Sequence, residues 1–131
     1  MSPAPKTRIA VAGAGYIGRA HIDAARASAT VTLSAIVDPS PAAQAHADAA
    51  DVPLYASLAE LFTHDKPDGV VLATPNALHV PHALACIAAG LPMLLEKPIA
   101  PSVAEAETLV RTADAARARI LIGHHRAHSP I

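Results

Sequence analysis

Short apolar runs alternate with helical stretches along this whole chain, and that alternation constrains its fold more than any other feature. "RIAVAG" (8–13), "VTLSAIVD" (31–38), "DGVVLAT" (68–74), "LPMLLE" (91–96) and "RILIG" (119–123) read as strands, and "PLYA" (53–56) as a short one at best. A first helix is expected over 16–28. Ser40 is placed to cap a second over "PAAQAHADAA", with Pro41 at its first position, where a missing N–H costs nothing. Ser57 and Glu60, three apart, make a capping box for "LAELFTH", and Ser102 with Glu105 makes another for "SVAEAETLVRTADAARA". "NALHVPHALACIAAG" is a helix ended by Gly90, with Pro81 in its first turn. Strands alternating with helices imply right-handed βαβ units and a parallel sheet covered on both faces. Six strands with five helical connections predict an α/β, doubly wound (Rossmann) sheet in the order 3-2-1-4-5-6.

Composition agrees and narrows the function classes. The chain has 131 residues, one domain's worth, and 52% of them are apolar. Aromatics make up only 2%, so the core must be built from Ala, Val, Leu and Ile. Ten Lys and Arg against 11 Asp and Glu leave a net charge of −1, which provides no basic field for nucleic acid or an anionic membrane. No apolar run approaches membrane-spanning length, and "MSPAPKTR" enters the first strand without a signal-peptide apolar stretch, so a cytoplasmic protein is expected. The single cysteine, Cys86, lies in an Ala-rich helical pattern and reads as a small buried hydrophobe.

In such a sheet the ligand lies outside the carboxyl ends of the strands, at the switch between the first and fourth. Gly13–Gly18, Asp38, Thr74–Asn76 and Glu96–Pro98 each end a strand, so they gather around one crevice. Gly13-x-Gly15-x-x-Gly18 follows a strand and opens a helix, the context a pyrophosphate-binding turn requires. Gly13 permits the tight turn, Gly15 lets the backbone approach the phosphates, and Gly18 allows close helix–strand packing. The helix N-terminus, at Tyr16 and Ile17, offers free N–H groups and a partial positive charge. Asp38 stands 38 − 18 = 20 residues past the last glycine, where a carboxylate accepts hydrogen bonds from a ribose 2′-hydroxyl. The pattern points to NAD rather than NADP, because Asp38 repels a 2′-phosphate and Pro39 supplies no cation.

The stretch "ATPNALHVPHALACIAAGLPMLLEKPIA" (73–100) resembles the Gfo/Idh/MocA oxidoreductases. Thr74-Pro75-Asn76, His79, Gly90 and Glu96-Lys97-Pro98 carry the likeness, with "ILIGHHRAHSP" closing the segment, and it extends over essentially the whole chain. It implies a hydride-transferring enzyme that acts on a sugar, cyclitol or similar polyol. Lys97 would be the catalytic residue facing substrate and nicotinamide. It also implies cofactor contacts from Thr74, Pro75, Asn76, His79, Glu96 and Lys97, and a cis peptide bond before Pro98. From chemistry alone, a lysine at a strand end can stabilise charge developing on a substrate oxygen. Glu96 would either hold Lys97 charged or touch the cofactor, and Thr74 and Asn76 would serve the adenosine and ribose side or cap a helix.

His79 with His82, and His124, His125 and His128, have spacings that invite a metal, but no other ligand type clusters with them and none is expected. His124, His125 and Arg126 follow the last strand and would border the nicotinamide or lead onward. The family carries a second domain that supplies most of the substrate site. Residues 1–123 are therefore expected to form the dinucleotide-binding domain, with 124–131 beginning the connection to that second domain. Self-association into a homo-oligomer is expected as well. The alternatives are a non-catalytic NAD-binding or redox-sensing module and, more remotely, a Rossmann-like methyltransferase.

Overall fold

The computed structural model describes residues 5–123. Six parallel strands form one sheet: β1 (Thr7–Ala12), β2 (Val31–Val37), β3 (Leu54–Tyr55), β4 (Gly69–Leu72), β5 (Met93–Glu96) and β6 (Ile120–Gly123). Their order is β3-β2-β1-β4-β5-β6, as the alternation predicts. The helices are α1 (Tyr16–Ala27), α2 (Gln44–Ala50), α3 (Leu58–His64), α4 (His79–Ala88) and α5 (Val103–Ala116). The helices expected after Ser40 and Asn76 each start as one turn of 3-10 helix, at Pro41–Ala43 and Asn76–Leu78, before becoming α-helical.

The predicted caps form. Ser40 Oγ accepts the Ala42 N–H, Ser57 Oγ the Glu60 N–H, and Ser102 Oγ the Glu105 N–H. Gly90 ends α4's connection at φ +73°, as a helix-terminating glycine should. Two stops were not legible: α2 and α5 end at Asp51 and Arg117, both left-handed without being glycine.

Alternation along the buried strands divides the core into two layers. Ala10, Ala12, Val70, Leu72 and Leu95 pack with Leu61 of α3, Val80, Ala83 and Cys86 of α4, and Leu109 of α5. On the other face, Val11, Leu33 and Ile36 pack with Ile22 of α1 and Ala47 of α2. Leu33 and Ile36 share a face although they are three residues apart. The β1–β2 register shifts between Ile9 and Ala10 and skips Ser34, whose buried hydroxyl has no hydrogen-bond partner.

Three helices thus cover one face and two the other. The second face stays open beyond β1, as a groove of about 760 Å³ lined by Ile9, Val71, Leu94, Leu121 and α1's Ala24 and Ala25. Leu121 is 59% exposed there. This groove runs along the sheet face, away from the strand ends where the crevice lies. Among the described residues, no helix is long and apolar enough to cross a membrane.

Candidate functional site: the carboxyl edge of the sheet

The glycine turn is held by backbone geometry that no other residue would satisfy. Gly13 adopts φ +96°, and a Cβ there would lie 2.4 Å from the Ala73 carbonyl oxygen. A Cβ on Gly18 would lie 1.7 Å from the Gly13 carbonyl oxygen, so α1 packs directly against the turn. Gly15 differs: nothing lies within 4 Å of the position its Cβ would take. Its freedom from side chain serves the open crevice and not internal packing. No side chain caps α1, whose N-terminal residue before the helix is Gly15, so its first-turn N–H groups remain available to an anion. Tyr16 and Ile17 beside them are exposed.

Asp38 lies directly against this turn. Its Oδ2 accepts the Ala14 N–H at 2.8 Å and its Oδ1 accepts the Ser40 N–H at 2.8 Å. Each oxygen keeps a lone pair for a further donor. The Gly13 N–H donates to the Val37 carbonyl at 2.7 Å, and the Ala73 N–H to that of Ala12 at 2.8 Å, so the ends of β1, β2 and β4 meet here.

Thr74, Pro75 and Asn76 follow β4, with Pro75 and Asn76 exposed. Neither Thr74 nor Asn76 caps a helix through its side chain. Thr74 Oγ1 instead pairs with His82 Nδ1 at 3.0 Å. Burial, and then the nearby His79, hold the His82 imidazole below the ordinary histidine value. His79 itself is 1% exposed, with Nδ1 2.5 Å from the Pro98 carbonyl oxygen and Nε2 2.8 Å from that of Thr74. Both ring nitrogens face main-chain carbonyls, so His79 braces the loops after β4 and β5 against each other.

Lys97 is exposed just past β5, the Lys97–Pro98 bond is cis, and Lys97, Pro98, Ile99 and Ile122 line a cavity of about 540 Å³. Glu96 does not pair with Lys97. Its Oε1 lies 2.5 Å from His21 Nε2, and its carboxyl group fills the space beside Gly123, whose Cβ would lie 2.9 Å from it. His21 is the residue that motif reading passed over. The available signal was a polar residue on the stripe of α1 that carries Gly18 and Ile22 inward. His124, His125, Arg126 and His128 lie outside the described residues. Among those described, no three His, Cys, Asp or Glu side chains group closely enough to hold a metal ion.

The family model for oxidoreductases with an NAD-binding Rossmann fold, Gfo/Idh/MocA, matches residues 7–124. The chain belongs to this family. Its relatives include the rhizopine catabolism protein MocA of Rhizobium meliloti, 31% identical over 94% of this chain and 39% of that protein. Inositol 2-dehydrogenase of Leifsonia xyli subsp. xyli is 40% identical over 81% of this chain and 32% of its own length. Among solved structures, the WlbA dehydrogenase from Bordetella pertussis, in complex with NADH and UDP-GlcNAcA, matches with a TM-score of 0.89. It is 29% identical, over 96% of this chain and 39% of that one. This Gfo/Idh/MocA chain thus spans under half the length of these relatives.

Proposed function

We propose that this chain is the NAD-binding part of an oxidoreductase that transfers hydride between the cofactor and a sugar, cyclitol or similar polyol. One observation carries the reading: the uncapped N-terminus of α1, with open space over Gly15, stands beside a carboxylate that still has lone pairs to give. The N–H groups of the Gly13–Gly18 turn, at Tyr16 and Ile17, hold the pyrophosphate. Asp38 accepts the adenosine ribose hydroxyls and disfavours a 2′-phosphate. Thr74, Pro75 and Asn76 line the adenosine side, while Glu96 and Lys97 border the nicotinamide side.

The nicotinamide, when bound, supplies hydride exchange at its C4 carbon. Lys97 hydrogen-bonds the reacting substrate oxygen: in oxidation it receives the hydroxyl proton as hydride leaves the carbon, and in reduction it returns that proton and stabilises the charge that grows on the oxygen as the C–H bond forms. A site that excludes water strengthens that effect. The polyol class is supported by the inositol 2-dehydrogenases and the sugar-nucleotide complex among the relatives.

We further read residues 1–123 as the dinucleotide-binding domain and 124–131 as the start of the connection to a substrate domain. The spans of the relatives support that division. A cytoplasmic setting, where NAD is available, fits the same reading. The open sheet face around Leu121 favours self-association into a homo-oligomer.

The test is absorbance at the reduced-nicotinamide band with a panel of inositols and sugars. It is run on this chain and on a protein carrying it together with the second domain. Turnover is expected only in the longer protein, and robust turnover by these 131 residues alone would overturn the two-domain reading.

A further inference from the structure

The glycine turn leads into α1, which packs on β1 and β2. Lys97 stands on the far side of β4, one residue past the end of β5. The ladder between β4 and β5 closes at Leu72 and Leu95, so Glu96 extends beyond β4 and pairs only with Gly123 of β6. Two observations show what holds Glu96 there. Among the described residues, one side-chain hydrogen bond reaches from α1 to β5 or β6: His21 Nε2 with Glu96 Oε1 at 2.5 Å, the side chains 26% and 18% exposed. Gly123 is the second. Its φ is not positive, so its backbone does not call for glycine, but a Cβ there would lie 2.9 Å from the Glu96 Cδ and both carboxyl oxygens. Space alone requires glycine at this position.

We propose that His21 is a positioning residue that acts through Glu96: it pins the carboxyl group over Gly123 and so fixes where Lys97 stands relative to the glycine turn of α1. The bearing of this link on hydride transfer rests on the NAD reading above; its geometry does not.

The cofactor in that reading is fastened by its pyrophosphate at α1, whereas its nicotinamide must meet the substrate oxygen beside Lys97. The two anchor points agree only if the distance between α1 and the end of β5 is fixed. Misplacement by about 1 Å can cost about 10²-fold in rate. Glu96 is one peptide unit from Lys97, and β4 does not hold it. Without His21 the carboxyl group would lose its partner at the end of the apolar groove that Leu94 and Leu121 line, and it would turn away to find water.

The first arm of the test uses the 131-residue chain without dinucleotide. In amide ¹H–¹⁵N spectra, His21→Ala should move the Glu96, Lys97 and Gly123 resonances. His21→Gln, whose amide can still donate to a carboxyl oxygen, should return them towards the parent positions. Gly123→Ala evicts the same group by another route and should move Lys97 as well. A Lys97 resonance that stays in place in both alanine variants would overturn the proposal. The second arm uses a protein carrying the second domain. His21→Ala should lower kcat roughly 10- to 100-fold with NAD affinity little changed, and His21→Gln should restore most of it. Glu96→Ala added to His21→Ala should cost little more. Additive losses, or a lower melting temperature with kcat intact, would contradict a role through Glu96. If His21→Ala does not fold, Gly123→Ala carries the same readouts. A chain that fails to bind NAD would sink the functional reading, while the first arm would still report on the link.

Discussion

Asp38 and Ala14 are 24 residues apart in sequence and 2.8 Å apart in space, carboxylate to main-chain N–H. The acid assigned to the ribose therefore also fastens the turn assigned to the pyrophosphate. One side chain links the two halves of the proposed adenosine-diphosphate site.

Asp38→Ala removes both roles. Hydrogen bonds to a charged group are worth about 1.5–3 kcal/mol, so NAD should bind roughly 10- to 100-fold more weakly. NADP, which never gained from the carboxylate, should lose less, and the preference between the two should narrow. Titration of the variant with both dinucleotides checks this. An undiminished preference for NAD would remove Asp38 from the site.

The three glycines should separate into two kinds. Gly18→Ala forces a Cβ to within 1.7 Å of main chain, and overpacking of that sort costs about 1–3 kcal/mol or more. Gly15→Ala meets nothing within 4 Å and should melt like the parent while binding NAD more weakly. Thermal melts and NAD titrations on both variants measure the split. Unchanged affinity in Gly15→Ala would mean that the open space is not where phosphate lies.

Lys97→Ala, in a protein carrying the second domain, should lower kcat by about 10²-fold or more while NAD affinity changes little, because the pyrophosphate and ribose contacts come from elsewhere. Steady-state kinetics with direct NAD titration checks this pattern. A variant with near-normal kcat would return Lys97 to the solvent-facing surface.

Much of this molecule was legible in its sequence, because local signals and fold agree. β-branched runs, capping boxes and the glycine turn each act over a few residues, and their match to the doubly wound architecture then gives the strand order. What could not be read depends on long-range contacts. His21 and Glu96, 75 residues apart, meet only because α1 lies over the end of β5, so Glu96 takes a histidine instead of its neighbour Lys97. The brace at His79 needs the loops after β4 and β5 to fold side by side. The skip at Ser34 is invisible to a strand pattern that assumes strict alternation.

Cys86 sets an alkaline limit. Burial pushes its thiol up from 9.0 to about 12, so the folded chain keeps the proton across a window where the unfolded chain loses it. Stability should therefore fall as pH rises from about 9 to about 12, and Cys86→Ala should flatten that slope. Denaturant melts across the window measure it. The same burial predicts that thiol reagents label Cys86 only as the chain unfolds, and rapid labelling under native conditions would contradict this.

Calorimetric titration of the unmodified chain with NAD and with NADP tests the dinucleotide reading most directly. The Gly13–Gly18 turn and Asp38 both lie within the described fold, so saturable NAD binding is expected, tighter than that of NADP. Tighter binding of NADP, or no saturable NAD binding by a chain whose circular dichroism shows it folded, would contradict the assignment of this crevice.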